Sequence, residues 1–269
     1  MSTKLRATTR YLLIDQLKLL GQSLLAVIAI FIVMPFFFAL VTGGLQSYSL
    51  LNTLGNMNIG FLLMIFLFIA NSLTYENFKL LIQNGISRKT YWAARVWTII
   101  IIGFGGELIS SIYYYGVAAP IRHLSMHAAL MKVPYSLYGN FLGSNVLLNV
   151  VAGAVFSAIF FVGVGLTGMA VGSLLALFGK WAQRIIIIVV PILGIFLLGF
   201  LISSTTGHTT VNYDNTPIAH FFEFLIGYPG ANATAGSFNP TGPILTMLVG
   251  CIMMGAIAYA FYHRLKVKN

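Results

Sequence analysis

Apolar residues occupy this chain in long unbroken runs, broken by short polar or charged connections, and do not alternate along it. A run of about 20 apolar residues is what a helix needs to cross a bilayer. Spans of that kind are read over about residues 21–42, 57–74, 98–119, 145–178, 185–203 and 241–262. Continuous runs exclude a β-barrel, whose strands alternate between lipid and lumen. The pattern therefore predicts an all-α polytopic membrane protein, with a six-helix transmembrane domain over residues 21–262. Ahead of it, residues 1–20 set Lys4, Arg6, Arg10, Asp15 and Lys18 among Leu5, Leu12, Leu13, Ile14, Leu17 and Leu20. That spacing predicts an N-terminal amphipathic helix lying in the membrane interface, apolar side down. The apolar stretch behind it is too long for a signal-peptide core, so it reads as an uncleaved anchor with Pro35 as a kink. Residues 204–240 form the longest polar connection and contain His208, Asp214, His220 and Glu223. Within it, residues 217–228 are apolar but too few to span, which predicts a short re-entrant helix ending near Gly227.

Between the second and third spans lies the most charged internal segment, residues 76–96, with Glu76, Lys79, Arg88, Lys89 and Arg95. Phe78, Leu81 and Ile82 recur at helical spacing, Asn84-Gly85 is a stop, and Ser87 is placed to cap a new helix with its hydroxyl. The segment thus reads as a rigid basic elbow at a membrane mouth, suited to docking; the plainer reading is a loop that is basic because it faces the cytoplasm.

Composition agrees with the pattern: 58% of residues are hydrophobic and 7% charged, a balance that excludes a soluble domain of this length. The net charge of +10 does not mark a nucleic-acid binder, because the bases sit at span edges. All of the 15 basic residues except Arg122 and Lys132 fall in residues 1–20, in the elbow, at Lys180 and Arg184, or in the tail 263–269. The positive-inside rule then puts both termini in the cytoplasm, with a basic cytoplasmic tail and an extracellular 204–240 segment. Cys251 is the single cysteine, which excludes an internal disulfide.

Candidate chemistry is sparse, and no catalytic or metal-binding set is expected. Glu107 is the acidic residue within an apolar run, and Gly103, Glu107, Ser110, Ser111 and Tyr114 share one helical stripe. A carboxylate at that depth costs several kcal/mol unless partnered or protonated. It reads as a proton relay, as a contact for a cationic substrate, or as a hydrogen-bonded strut to another span. His123 and His127 have zinc-like spacing without an acidic companion, and read as interfacial. Gly163, Gly165, Gly168 and Gly172 make the fourth span a close-packing helix, with Gly168 and Gly172 in a GxxxG pattern. Gly179-Lys180 is followed by Trp181 and lacks the earlier glycine of a phosphate loop. Asn232 to Thr234 matches a glycosylation triplet too common to weigh.

In layout, and in the stretch Asn84-Gly85-Ile86-Ser87-Arg88-Lys89-Thr90, the chain resembles ABC-2 type (type V) ATP-binding-cassette permeases, whose bacterial members commonly carry a G-[IV]-S-R segment there. The resemblance implies a coupling helix over about residues 76–90, docked against a separate ATPase by Phe78, Lys79, Leu81, Ile82, Gly85, Ser87, Arg88, Lys89 and Tyr91. It implies a second permease chain, identical or related, and a bacterial inner (plasma) membrane. It further implies export of a lipid, hydrophobic drug or antimicrobial peptide, with ATP and magnesium held by the partner. No Walker A sequence occurs in the 269 residues, so hydrolysis is expected elsewhere. A proton- or ion-coupled carrier using Glu107 is the alternative. An intramembrane enzyme is disfavoured, since no span carries a nucleophile–base or paired-acid set.

Overall fold

The computed structural model describes all residues except 1, 47, 74, 133, 144, 206–215, 231–235 and 266–269. His208, Asp214, the triplet 232–234, Lys266 and Lys268 therefore lie outside the described residues. The described residues form helices and connections without strands: α1 Thr3–Val41, α2 Leu50–Asn56, α3 Ile59–Ser72, α4 Tyr75–Gln83, α5 Arg88–Ile121, α6 Met126–Leu130, α7 Val146–Leu175, α8 Lys180–Thr205, α9 Thr216–Ile226 and α10 Thr241–Arg264. Helices α1, α5, α7 and α10 are each long and apolar enough to cross a membrane, and the pair α2 and α3, bent by 56°, qualifies as a broken fifth.

The surface is that of a membrane protein. Phe36, Phe37, Phe38, Leu147, Leu193 and Ile252 are exposed, while Gln16, Asn71, Arg95, Glu107 and Asn149 are buried. Lipid takes the place of water around the apolar exterior, and backbone polar groups are satisfied within each helix. Two prolines fall inside these long helices without breaking them. Pro35 and Pro120 each follow a π-helical turn, Ala29–Val33 and Tyr114–Ala118. The widened turn moves the carbonyl that the proline ring would strike, so the helix continues.

The boundary expected at residue 20 is absent. Residues 3–41 form one continuous helix, about 58 Å long at 1.5 Å per residue. Its N-terminal half buries Thr8, Thr9, Leu12, Gln16 and Leu20 where the helix packs along α5, while Tyr11, Ile14, Leu17 and Leu19 stay exposed. Of the polar members of the buried face, Gln16 bonds Asn71 of α3, and Thr8 and Thr9 bond carbonyls of their own helix.

Helix α7 is the centre of the bundle, with α3, α5 and α10 packed against it. Its glycines set the spacing. A Cβ on Gly168 would lie 2.4 Å from the Phe68 carbonyl oxygen, and one on Gly172 would lie 2.2 Å from that of Ser72. The GxxxG pattern thus seats α3 of the same chain on α7, backbone against backbone. A Cβ on Gly165 would lie 2.6 Å from Ile99 of α5, whereas one on Gly163 would stand at an ordinary 3.4 Å from Cys251 of α10. At the end of the bundle opposite the elbow, a 3₁₀ turn at Pro134–Tyr138 is tied to the segment after α9. The Tyr138 hydroxyl donates to the Ile226 carbonyl, Phe238 N–H to the Leu137 carbonyl, and Asn140 N–H to the Gly236 carbonyl. Helix α9 stops at Gly227, where Gly227 N–H bonds Phe224 and Tyr228 N–H bonds Glu223.

Candidate functional site

The elbow is built by local capping. Gly85 takes φ +77°, with its N–H on the Ile82 carbonyl and Ile86 N–H on that of Leu81, the Schellman ending of α4. Two residues later the Ser87 hydroxyl accepts from Thr90 N–H at 3.1 Å and starts α5. One side of the elbow is then committed to the chain itself. Phe78 and Tyr91 are fully buried and Leu81 nearly so, packed with Leu12, Leu166, Met169 and Tyr262. The rings of Phe78, Tyr91 and Tyr262 lie 5.3–5.5 Å apart in pairs. Ile82 packs on the same cluster.

These placements correct the expected docking face. Phe78, Leu81 and Tyr91 cannot meet a partner from inside the core. Arg88 is also engaged: its guanidinium donates to the carbonyls of His263 and Leu265 at the end of α10. What remains outward is Glu76, Leu80, Gln83, Asn84, Gly85, Ser87 and Lys89, with Lys79 half-buried beside them. Arg95 is buried one turn beyond Tyr91, and its Nη2 donates to Asn71 Oδ1 at 2.7 Å. Gln16 Nε2 donates to the same oxygen at 2.9 Å, and Asn71 Nδ2 to the Leu67 carbonyl at 2.7 Å. This junction of α1, α3 and α5 is not foreseen from sequence; its signal is a guanidinium between Ala94 and Val96 on the inward face of a helix.

A second feature is a cavity of about 580 Å³ among α3, α5 and α7, reaching toward α10 at Met247. Glu107, Ser110, Ser111 and Tyr114, the polar stripe of α5, line it, while Gly103 packs on Val162 instead. Glu107 is 8% exposed, and Ser111 Oγ donates to its Oε1 at 2.7 Å. That partner lies one turn along the same helix, so Glu107 does not tie α5 to another span. The cavity also draws on residues that span prediction does not single out: Tyr113, Tyr115, Tyr135, Phe156, Phe160 and Met247. Tyr113 and Tyr114 are anchored through their hydroxyls to the carbonyls of Leu54 at 2.6 Å and Ala129 at 2.9 Å. Tyr135 stands in the 3₁₀ turn, its phenol pushed above its ordinary pKa by burial, and packs against Gly153 of α7. Arg122, which donates to Asn56 Oδ1, and Lys132 mark the end of the cavity away from the elbow.

Among the described residues no group of three His, Cys, Asp or Glu side chains is placed to hold a metal ion. His123 adopts φ +54° and ends α5, its N–H on the Pro120 carbonyl and that of Leu124 on Ala119. No protein family, curated protein or solved structure matches the chain.

Proposed function

We propose that this chain is the membrane-embedded permease subunit of an ABC-2 type exporter, driven by a separate ATPase that docks on the elbow. The observation that carries this reading is the continuity of α5. It begins at the elbow with Arg88 and brings Glu107, Ser110, Ser111 and Tyr114 to the cavity about 28 Å further along. A push on the elbow therefore reaches the cavity through one rigid element. The outward tip with Lys79 and Lys89 suits an acidic cleft, whose attraction would speed docking more than it deepens affinity. In this reading both termini face the cytoplasm of an inner membrane, α8 completes a six-span domain, and a second permease chain closes the pathway. ATP and magnesium belong to the partner. A hydrophobic or amphipathic cargo suits the cavity's aromatic and methionine walls.

The test is purification of the chain from its native membrane in mild detergent, with the recovered partners identified and assayed for ATPase activity. A stoichiometric ATPase, lost when Lys79→Glu and Lys89→Glu are combined, is the expected result. Recovery of the chain alone in several detergents would overturn it. One observation favours a second reading: Glu107 is the acidic residue among those lining the cavity. A proton- or ion-coupled carrier would use that carboxylate, and its transport would then follow the imposed gradient without ATP and stop in Glu107→Gln.

A further inference from the structure

The cavity changes chemistry along its length. At one end stands the Glu107 carboxylate, with one hydrogen bond from Ser111; Tyr114 and Tyr115, their rings 5.1 Å apart and edge-on, line the cavity about two turns further along α5. Phe61, Phe156, Phe160, Phe161, Met64 and Met247 supply apolar wall. Arg122 lies at the far end, about 20 Å from Glu107 along α5. A second, apolar groove of about 280 Å³ runs between α7 and α10, past Gly163, Thr167, Gly250 and Met254. Phe160 and Met247 line both spaces, so the groove abuts the cavity wall on the side that faces lipid.

A carboxylate inside a bilayer is costly when left alone, and Ser111 satisfies only part of its accepting capacity. A positive charge brought beside it would complete that pairing, and the aromatic rings that line the cavity offer cation–π attraction to the same charge. A divalent metal ion is a poor candidate, since it needs several oxygen ligands and the cavity offers one carboxylate. An anion would be repelled at Glu107 and drawn instead toward Arg122 and Lys132 at the other end. Phe and Met walls favour a ligand whose charge sits on an apolar body. The basic end of the cavity discourages such a ligand from entering out of the water, whereas the groove meets the lipid.

We propose that the Glu107 cavity binds a monovalent lipophilic organic cation, an ammonium or phosphonium on an apolar body, and that it enters from the bilayer along the groove between α7 and α10. The assignment rests on the cavity being the transport site, but binding is measurable without transport.

The test uses the full chain in nanodiscs and two probes of one shape and opposite charge, tetraphenylphosphonium and tetraphenylborate, by equilibrium dialysis against empty nanodiscs. Saturable binding of the cation at one site per chain, without such binding of the anion, is expected. Glu107→Gln should weaken cation binding about tenfold or more, and Glu107→Asp should keep the preference for the cation. Thr167→Trp, which fills the groove, should slow association and leave the equilibrium affinity unchanged. Equal binding of the two probes would overturn the site. So would an unchanged affinity in a Glu107→Gln protein that elutes as the wild type does. An unchanged association rate in Thr167→Trp would overturn the route. Charge-selective, Glu107-dependent binding with no movement of the cation into vesicles, under ATP or a gradient, would leave the site standing and remove the transport reading.

Discussion

Arg95 is 1% exposed, and the acceptors around it are neutral: Asn71 Oδ1 at 2.7 Å and the Asn71 backbone carbonyl at 3.5 Å. Both belong to the last turn of α3, where unpaired carbonyls carry roughly half a negative charge. Arg88 repeats the device against the last carbonyls of α10. Two arginines of one helix thus hold the C-terminal ends of two others, and the basicity of the elbow is partly spent inside the chain. Removing the Arg95 guanidinium leaves Asn71 to Gln16 alone and takes the counter-charge from the α3 terminus. Arg95→Ala should cost about 2–3 kcal/mol, the range for hydrogen bonds to a charged group, and lower the melting point by about 5 °C. Arg95→Lys should recover part of this, since both acceptors are reached from the one nitrogen Nη2 and an ammonium keeps the charge. The half-buried Cys251 provides the readout, through its reaction with a thiol-reactive fluorophore as detergent-solubilised protein is heated. A wild-type melting point in Arg95→Ala would show that the guanidinium supports nothing.

Among the elements, the seat of α3 on α7 is the most sharply determined. A Cβ on Gly172 would lie 2.7 Å from Ser72 Cα as well as 2.2 Å from its carbonyl oxygen, so backbone must move. Overpacking of that kind costs about 1–3 kcal/mol, and Gly172→Ala should melt about 5 °C below wild type in the Cys251 assay. Gly163→Ala is the control, since its methyl would only reach van der Waals contact with the Cys251 sulfur, and it should melt as the wild type does. Sequence made the local parts of this architecture legible. Gly85 ends α4 and Ser87 starts α5 through signals carried within a few residues, and the length of the apolar run at 217–228 is enough to announce α9. Choices of partner across the chain were not legible. Gln16 and Asn71 meet across a separation of 55 positions, and nothing local tells that Thr8, Thr9 and Gln16 would be buried while Ile14 and Leu17 stay exposed. For the same reason Phe78, Leu81 and Tyr91 read as outward: an amphipathic face shows that something covers it, not what. The polar stripe on α5 was visible from its period, while the wall opposite it comes from Tyr135 in a connection and from α7, which no stripe predicts.

Across the whole molecule these contacts decide what an impulse at the elbow would move. A hinge at the elbow alone would tilt only the two spans that flank it. Phe78 of α4 and Tyr91 of α5, however, close around Tyr262 of α10, and Arg88 grips the end of the same helix. The elbow, α5 and the C-terminal turn of α10 are therefore joined at one end, and α10 brings Met247 to the cavity wall near its other end. Displacement of the elbow then acts on the cavity from two sides, through Glu107 on α5 and through Met247 on α10. Arg88→Gln shortens the reach and removes the charge, so the last turn of α10 loses its cap while the aromatic cluster stays. Hydrogen exchange at the amides of residues 258–265 should quicken by about tenfold or more, as expected for losing two charged hydrogen bonds, with the amides of α7 unchanged. Under the exporter proposal, the same variant in a reconstituted complex should retain the docked ATPase, because Lys79 and Lys89 remain on the outward tip, yet transport less per ATP hydrolysed. Loss of the ATPase from Arg88→Gln would place Arg88 in the docking surface after all; undiminished transport per ATP would show that α10 is not part of the linkage.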